Sequence, residues 1–121
     1  MAALNPEGQF TVIMAEERVA CEHPRRKREF IKWDEINEIG IVTTDEGSLL
    51  PDVWLLLIGG KSGCSIPQGA VRYDELFDRV SRFPDFDFKA VIEASVCVSN
   101  ARFTCWKRPN SQEIAPYSTR S

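Results

Sequence analysis

The sequence predicts an α+β domain: a strongly curved antiparallel β-sheet, packed by two short helices that come just before a last strand. Three observations lead there. Period-two alternation of apolar and polar residues dominates up to residue 67 and returns after residue 100. Between those points apolar residues fall at helical spacing, with Pro84 interrupting them. A run of strands followed by helices is the order of an antiparallel α+β domain and not of a βαβ fold.

The elements follow in chain order. Gln9 to Ala15 has the β-branched and aromatic content of a first strand, and Arg18 to Glu22 supplies a short second one. His23-Pro24-Arg25-Arg26-Lys27-Arg28 then reads as a charged hairpin loop announced by its proline. Phe30 to Trp33 resumes alternation, with Phe30 and Lys32 facing one way and Ile31 and Trp33 the other. Trp33-Asp34-Glu35-Ile36 predicts a tight turn or a single helical turn. Ile39, Ile41 and Thr43 alternate with Gly40, Val42 and Thr44 as in a half-buried strand, which Asp45-Glu46-Gly47-Ser48 ends.

Val53 to Ile58 is apolar at every position, which predicts a central strand covered on both faces. The glycine-rich loop Gly59 to Gly63 turns it back into Cys64-Ser65-Ile66-Pro67, making a hairpin. Asp74 is the predicted cap of the first helix, with Leu76, Phe77, Val80 and Phe83 at helical spacing. Asp87 is the predicted cap of the second, whose core face is read as Phe88, Val91, Ile92 and Ser95. Ala101, Phe103 and Cys105 alternate against Arg102, Thr104 and Trp106 in the last strand. One domain over residues 8–108 and a loose polar tail over 109–121 complete the expected organisation.

Composition narrows the function. At 121 residues and 43% hydrophobic content, the chain can bury roughly two thirds of its unfolded surface, so no metal or disulfide is needed to hold it. Its formal charge of −3 gives nothing toward counterion release, which argues against nucleic acid as a partner. The first eight residues lack the basic and apolar regions of a secretory signal, and the longest apolar run, Val53 to Ile58, is about a third of a membrane span. A cytoplasmic protein with no membrane insertion is therefore expected. Cys21, Cys64, Cys97 and Cys105 are too scattered for a zinc knuckle, and Cys21-Glu22-His23 has no second ligand pair. Reduced structural thiols, no metal and no cofactor are expected.

Catalytic signatures are weak. Gly59-Gly60-Lys61-Ser62-Gly63 resembles part of a phosphate loop, but Leu55 stands where its first glycine belongs and a strand follows in place of a helix. His23 is the only histidine, beside a proline and a basic run with no carboxylate placed to orient it. The carboxylate pairs Asp34-Glu35 and Asp45-Glu46 are sequence neighbours whose side chains diverge, unlike an acid/base couple. No enzyme activity is expected.

Two charged stretches could bind instead. Arg25, Arg26, Lys27 and Arg28 could touch a lipid or other phosphate, or form a solvated loop tip. From Phe30 to Asp52 the chain carries Asp34, Glu35, Glu38, Asp45, Glu46 and Asp52 against Lys32 alone. Clustered carboxylates beside Trp33 and Trp54 suit an interface with a basic partner, or else a solvated acidic face over core tryptophans.

The stretch from Trp33-Asp34-Glu35-Ile36 through Thr43-Thr44-Asp45-Glu46-Gly47, with Pro51-Asp52-Val53-Trp54 and Cys64 to Ala70, resembles small bacterial pleckstrin-homology-like proteins. Phe83 to Asp87 and Phe103 to Arg108 extend the resemblance, which covers roughly residues 10 to 108. It includes stand-alone proteins that look like immunity proteins of toxin systems of the contact-dependent inhibition type. The family's terminal helix here precedes a last strand. The resemblance implies a half-barrel sheet and a protein that occludes the active site of a cognate toxin domain, acting as a monomer or weak dimer. Asp34, Glu35, Glu38, Asp45, Glu46, Asp52 and Trp54 would form that contact; the alternative is a lipid- or peptide-binding module using Arg25 to Arg28.

Overall fold

Apolar alternation does what it predicts along most of the chain, and the computed structural model describes residues 9–44 and 53–109. The order is β1 (Thr11–Met14), β2 (Arg18–His23), β3 (Arg26–Lys32), a single 3-10 turn (Trp33–Glu35), β4 (Glu38–Thr43), β5 (Val53–Ile58), β6 (Gly63–Pro67), α1 (Tyr73–Val80), α2 (Phe88–Ser95) and β7 (Ala101–Lys107). The α+β class and the two helices before the last strand are as expected. The sheet is not one curved surface: the strands form two antiparallel sheets, β1-β2-β3 and β6-β5-β4-β7, and neither closes into a barrel. They adjoin where β3 meets β6, with the Ser65 backbone N–H donating to Glu29 Oε1 at 2.8 Å.

The core lies between the sheets and under α1. Opposed residues share a face, so Val12 and Cys21, then Met14, Val19 and Ile31, point inward together from the three-stranded sheet. Ile39, Ile41, Leu55, Leu57, Cys64 and Ile66 meet them from the other sheet, none more than 3% exposed. β5 is tightly buried on one face only; Trp54, Leu56 and Ile58 on its other face are half-buried, less than its apolar sequence led us to expect. The β5–β6 hairpin matches expectation, closed by Gly59 N–H donating to Ser62 O at 2.9 Å. Gly59 is required there, because an added Cβ would come within 2.8 Å of Glu35 O and of Ile31 Cδ1.

Two expectations about local structure are corrected. The charged loop over residues 23–28 is only the turn Pro24-Arg25; Arg26 to Arg28 already belong to β3, where His23 pairs with Arg26. Pairing with β2 holds these residues extended although their side chains stay exposed, so no burial pattern marked them in the sequence. Asp74 is not the cap of α1. Arg72 occupies that position with φ 71°, makes no side-chain cap bond, and pairs with Glu75 at 2.8 Å. Asp87 does cap α2, accepting from Lys89 N–H at 2.9 Å and Ala90 N–H at 3.2 Å.

Backbone and side-chain ties fix the remaining geometry. Val71 bonds β1 through Val12 N–H to Val71 O and Val71 N–H to Phe10 O, at 3.0 and 2.9 Å, joining the α1 approach to the three-stranded sheet. Trp33 Nε1 donates to Ala15 O at 2.9 Å, while Arg79 lies 4.0 Å above its ring. Trp106 Nε1 donates to Pro84 O at 2.9 Å and stacks edge-on with Phe83. Among the described residues no helix is long and apolar enough to cross a membrane.

Candidate functional site

The feature that stands apart in this fold is α2. At 100° per residue, Ala90, Val91, Ala94 and Ser95 lead round to Phe88, Ile92 and Val96, leaving only Lys89 and Glu93 on a polar strip. A helix with so wide an apolar arc is normally buried on most sides. Here only Ala90 and Ala94 are buried, packed on β7 and β4. Phe88 is 53% exposed, Ile92 65%, Val96 74% and the following Val98 88%.

The face read from the sequence as core, Phe88, Val91, Ile92 and Ser95, is therefore corrected. Two alanines face the strands, and the large residues, apart from half-buried Val91, face outward. Hydropathy could not choose between faces that are both apolar; the flat strand surface selects the smaller side chains.

Beside this stripe is a cleft of about 530 Å³ between the helices, lined by Ile41, Val53, Tyr73, Phe77, Val91 and Ala94. Asp74 and Asp78, one turn apart on α1, also line it. Asp78 holds Arg82 at 2.7 Å in an exposed pair worth at most about 1 kcal/mol. Burial, reinforced by nearby Cys105 and Asp74, pushes the Tyr73 hydroxyl up to about 12. From Tyr73 to Asn100 the chain bears Asp74, Glu75, Asp78, Asp85, Asp87 and Glu93 against Arg79, Arg82 and Lys89. Three of the six carboxylates are engaged, Glu75 by Arg72, Asp78 by Arg82 and Asp87 by the first N–H groups of α2, so Asp74, Asp85 and Glu93 supply the acidic character around the apolar face.

The residues singled out in the sequence are not gathered at one place. Asp34 and Glu35 are exposed on the 3-10 turn, whose backbone is held by Arg108 donating to Asp34 O and Ile36 O, both at 2.7 Å. Glu38 is already committed, 3.0 Å from Arg102 and accepting from the Thr104 hydroxyl at 3.3 Å. Asp45, Glu46 and Asp52 lie outside the described residues. Trp54 pairs with Val42, four residues along β4 from Glu38, on the order of 13 Å away. Its ring meets Phe10 edge-on at 5.6 Å, and Arg26 lies 6.0 Å from it.

The basic run is similarly divided. Arg28 pairs with Glu22, Arg26 stacks over Phe10 at 5.2 Å, and Arg25 and Lys27 are exposed. His23 sits on the Phe10 ring at 4.5 Å, and its Nδ1 accepts from Arg25 N–H at 3.0 Å.

The thiols differ in the same way as their surroundings. Burial pushes Cys21 and Cys105 up to about 11 and Cys64 to about 12. Cys97, just beyond α2, is half-buried, and hydrogen bonding from Thr43 and at Ser99 holds its thiol below the usual range. Among the described residues no group of three or more metal-ligating side chains is assembled.

Known proteins offer no further guide: no family model, curated protein or solved structure shows significant similarity to this chain.

Proposed function

We propose that this chain is a non-catalytic protein-binding domain acting in the cytoplasm as an inhibitor of the immunity type, covering the active site of a cognate basic toxin domain. One observation carries the reading. The Phe88–Ile92–Val96 stripe of α2 is solvent-exposed on a helix whose composition suits burial, and such contiguous apolar patches mark interaction surfaces. The surrounding carboxylates favour a basic partner by steering the encounter and penalising acidic competitors.

The contact surface in this proposal is the helical region, with the cleft beside α2 accepting a side chain of the partner. Asp34 and Glu35 are exposed and can add to the field, whereas Glu38 is held by Arg102. Kinship with pleckstrin-homology-like proteins belongs to the same proposal, and the support for it is the pair of antiparallel sheets meeting at β3 and β6.

The test is first whether the adjacent gene encodes a toxin domain, and then titration of the chain against that domain at low and high salt. Saturable binding that weakens with salt and blocks the toxin's activity is expected. Absence of binding at low salt would count decisively against the proposal.

A further inference from the structure

A second recess, remote from the helices, has the opposite chemistry. The tight turn at Pro24-Arg25 sets His23 directly across from Arg26, and the pairing of β1 with β2 sets Thr11 directly across from Glu22. Together with Gln9 and Arg28 these residues line a space of about 400 Å³, within the range of small-ligand sites.

The charges there do not cancel. Glu22 is taken by Arg28. Arg26 has no carboxylate among the described residues; its guanidinium is held instead over Phe10 at 5.2 Å and 6.0 Å from Trp54. Cation–π contact of this kind restrains a guanidinium while leaving its N–H groups able to donate to an oxyanion. Because His23 Nδ1 accepts from Arg25 N–H, the neutral ring carries its proton on Nε2 and is a second donor. The Gln9 amide and the Thr11 hydroxyl add two more. Arg25 and Lys27, exposed on either side of Arg26, raise the local positive charge further.

We infer that this recess binds the phosphate group of a small soluble phosphate ester. Arg26 supplies the charge and the planar fork, and Phe10 with Trp54 pre-orders it, which lowers the entropy lost on binding. Arg28 keeps Glu22 from repelling the anion.

Amide-resolved NMR of the intact chain tests this with inorganic phosphate and glycerol 3-phosphate, using chloride as the control anion. Saturable shifts confined to residues 9–11 and 22–28 are expected with both phosphates. Arg26→Gln should weaken them at least ten-fold, and Lys61→Gln, on the β5–β6 loop, should leave them unchanged. His23→Phe keeps a ring on Phe10 but removes the donor; a several-fold loss is expected, and this variant decides the matter if Arg26→Gln does not fold. Non-saturating shifts, equal shifts with chloride, or indifference to both substitutions would overturn the inference. So would binding to phosphatidate vesicles without saturation by either soluble phosphate, since the basic residues would then be a membrane-facing patch.

Discussion

The two helices are of equal length, eight residues each, yet they relate to the core in opposite ways. α1 buries Tyr73, Leu76 and Val80 and exposes Asp74, Glu75, Asp78 and Arg79, the division expected of an amphipathic surface helix. α2 buries two alanines and turns Phe88 and Ile92 outward. Its start is nonetheless the better made, with Asp87 accepting two N–H groups where α1 has no side-chain cap. α2 is well formed but incompletely covered: Phe88 meets the fold through its edge contact with Phe86, and Ile92 is 65% exposed. The proposed partner would cover these outer residues.

That contrast can be broken or sharpened by substitution. The largest effect is expected in α1: Leu76→Ala should cost about 2–5 kcal/mol in urea unfolding, because Leu76 is fully buried and its loss leaves a cavity. Ala90→Leu should cost about 1–3 kcal/mol, since Ala90 is buried on the strand-facing side of α2 and a larger side chain there overpacks the contact. Asp87→Ala should cost about 1 kcal/mol by leaving the N–H groups of Lys89 and Ala90 without their acceptor. Ile92→Ser should change stability by no more than about 0.5 kcal/mol, the range for surface positions. A large loss from Ile92→Ser would place that residue in the core and erase the distinction between the helices.

Thiol chemistry separates the same regions. Cys97, beside the exposed end of α2, should be alkylated first in the native protein near neutral pH, read as a single addition by mass spectrometry. Cys21, Cys64 and Cys105 should react only on unfolding. The sign of their linkage is fixed: above the ordinary thiol value of 9.0 the unfolded chain loses protons that the folded chain keeps until about 11–12. Stability should therefore fall as pH rises through that window, and Cys64→Ala should make the fall shallower.

Much of the fold was legible because it is local. Ile39, Ile41 and Thr43 point inward from β4 as expected, Gly59 to Gly63 turns a hairpin, and Asp87 sits where a cap belongs. The expected alternation of β7 fails only at its end, where a bulge against β4 buries both Cys105 and Trp106. What escaped depends on contacts between distant segments. The split into two sheets is set by which strands pair, and no residue pattern distinguishes one curved sheet from two. Arg26 to Arg28 looked like a loop because their side chains are exposed, although their backbone pairs with β2. The meeting of Phe10, His23, Arg26 and Trp54 joins three separate stretches of chain. The outer face of α2 was seen but turned inward, because a helix apolar on most of its circumference does not declare which side the core will take. Of the acidic residues, Glu38 was expected to face a partner, and Arg102, sixty-four residues later, occupies it.

The most direct test is calorimetric titration of the proposed partner, a basic toxin domain sought in the adjacent gene, with the native chain and with a Phe88→Ser, Ile92→Ser variant of unchanged unfolding stability. The account predicts saturable binding by the native chain and a loss of at least 2 kcal/mol, roughly thirty-fold in affinity, in the variant, the scale of an interface hot spot. Equal affinities for the two chains would contradict it, because the exposed face of α2 would then contribute nothing to recognition.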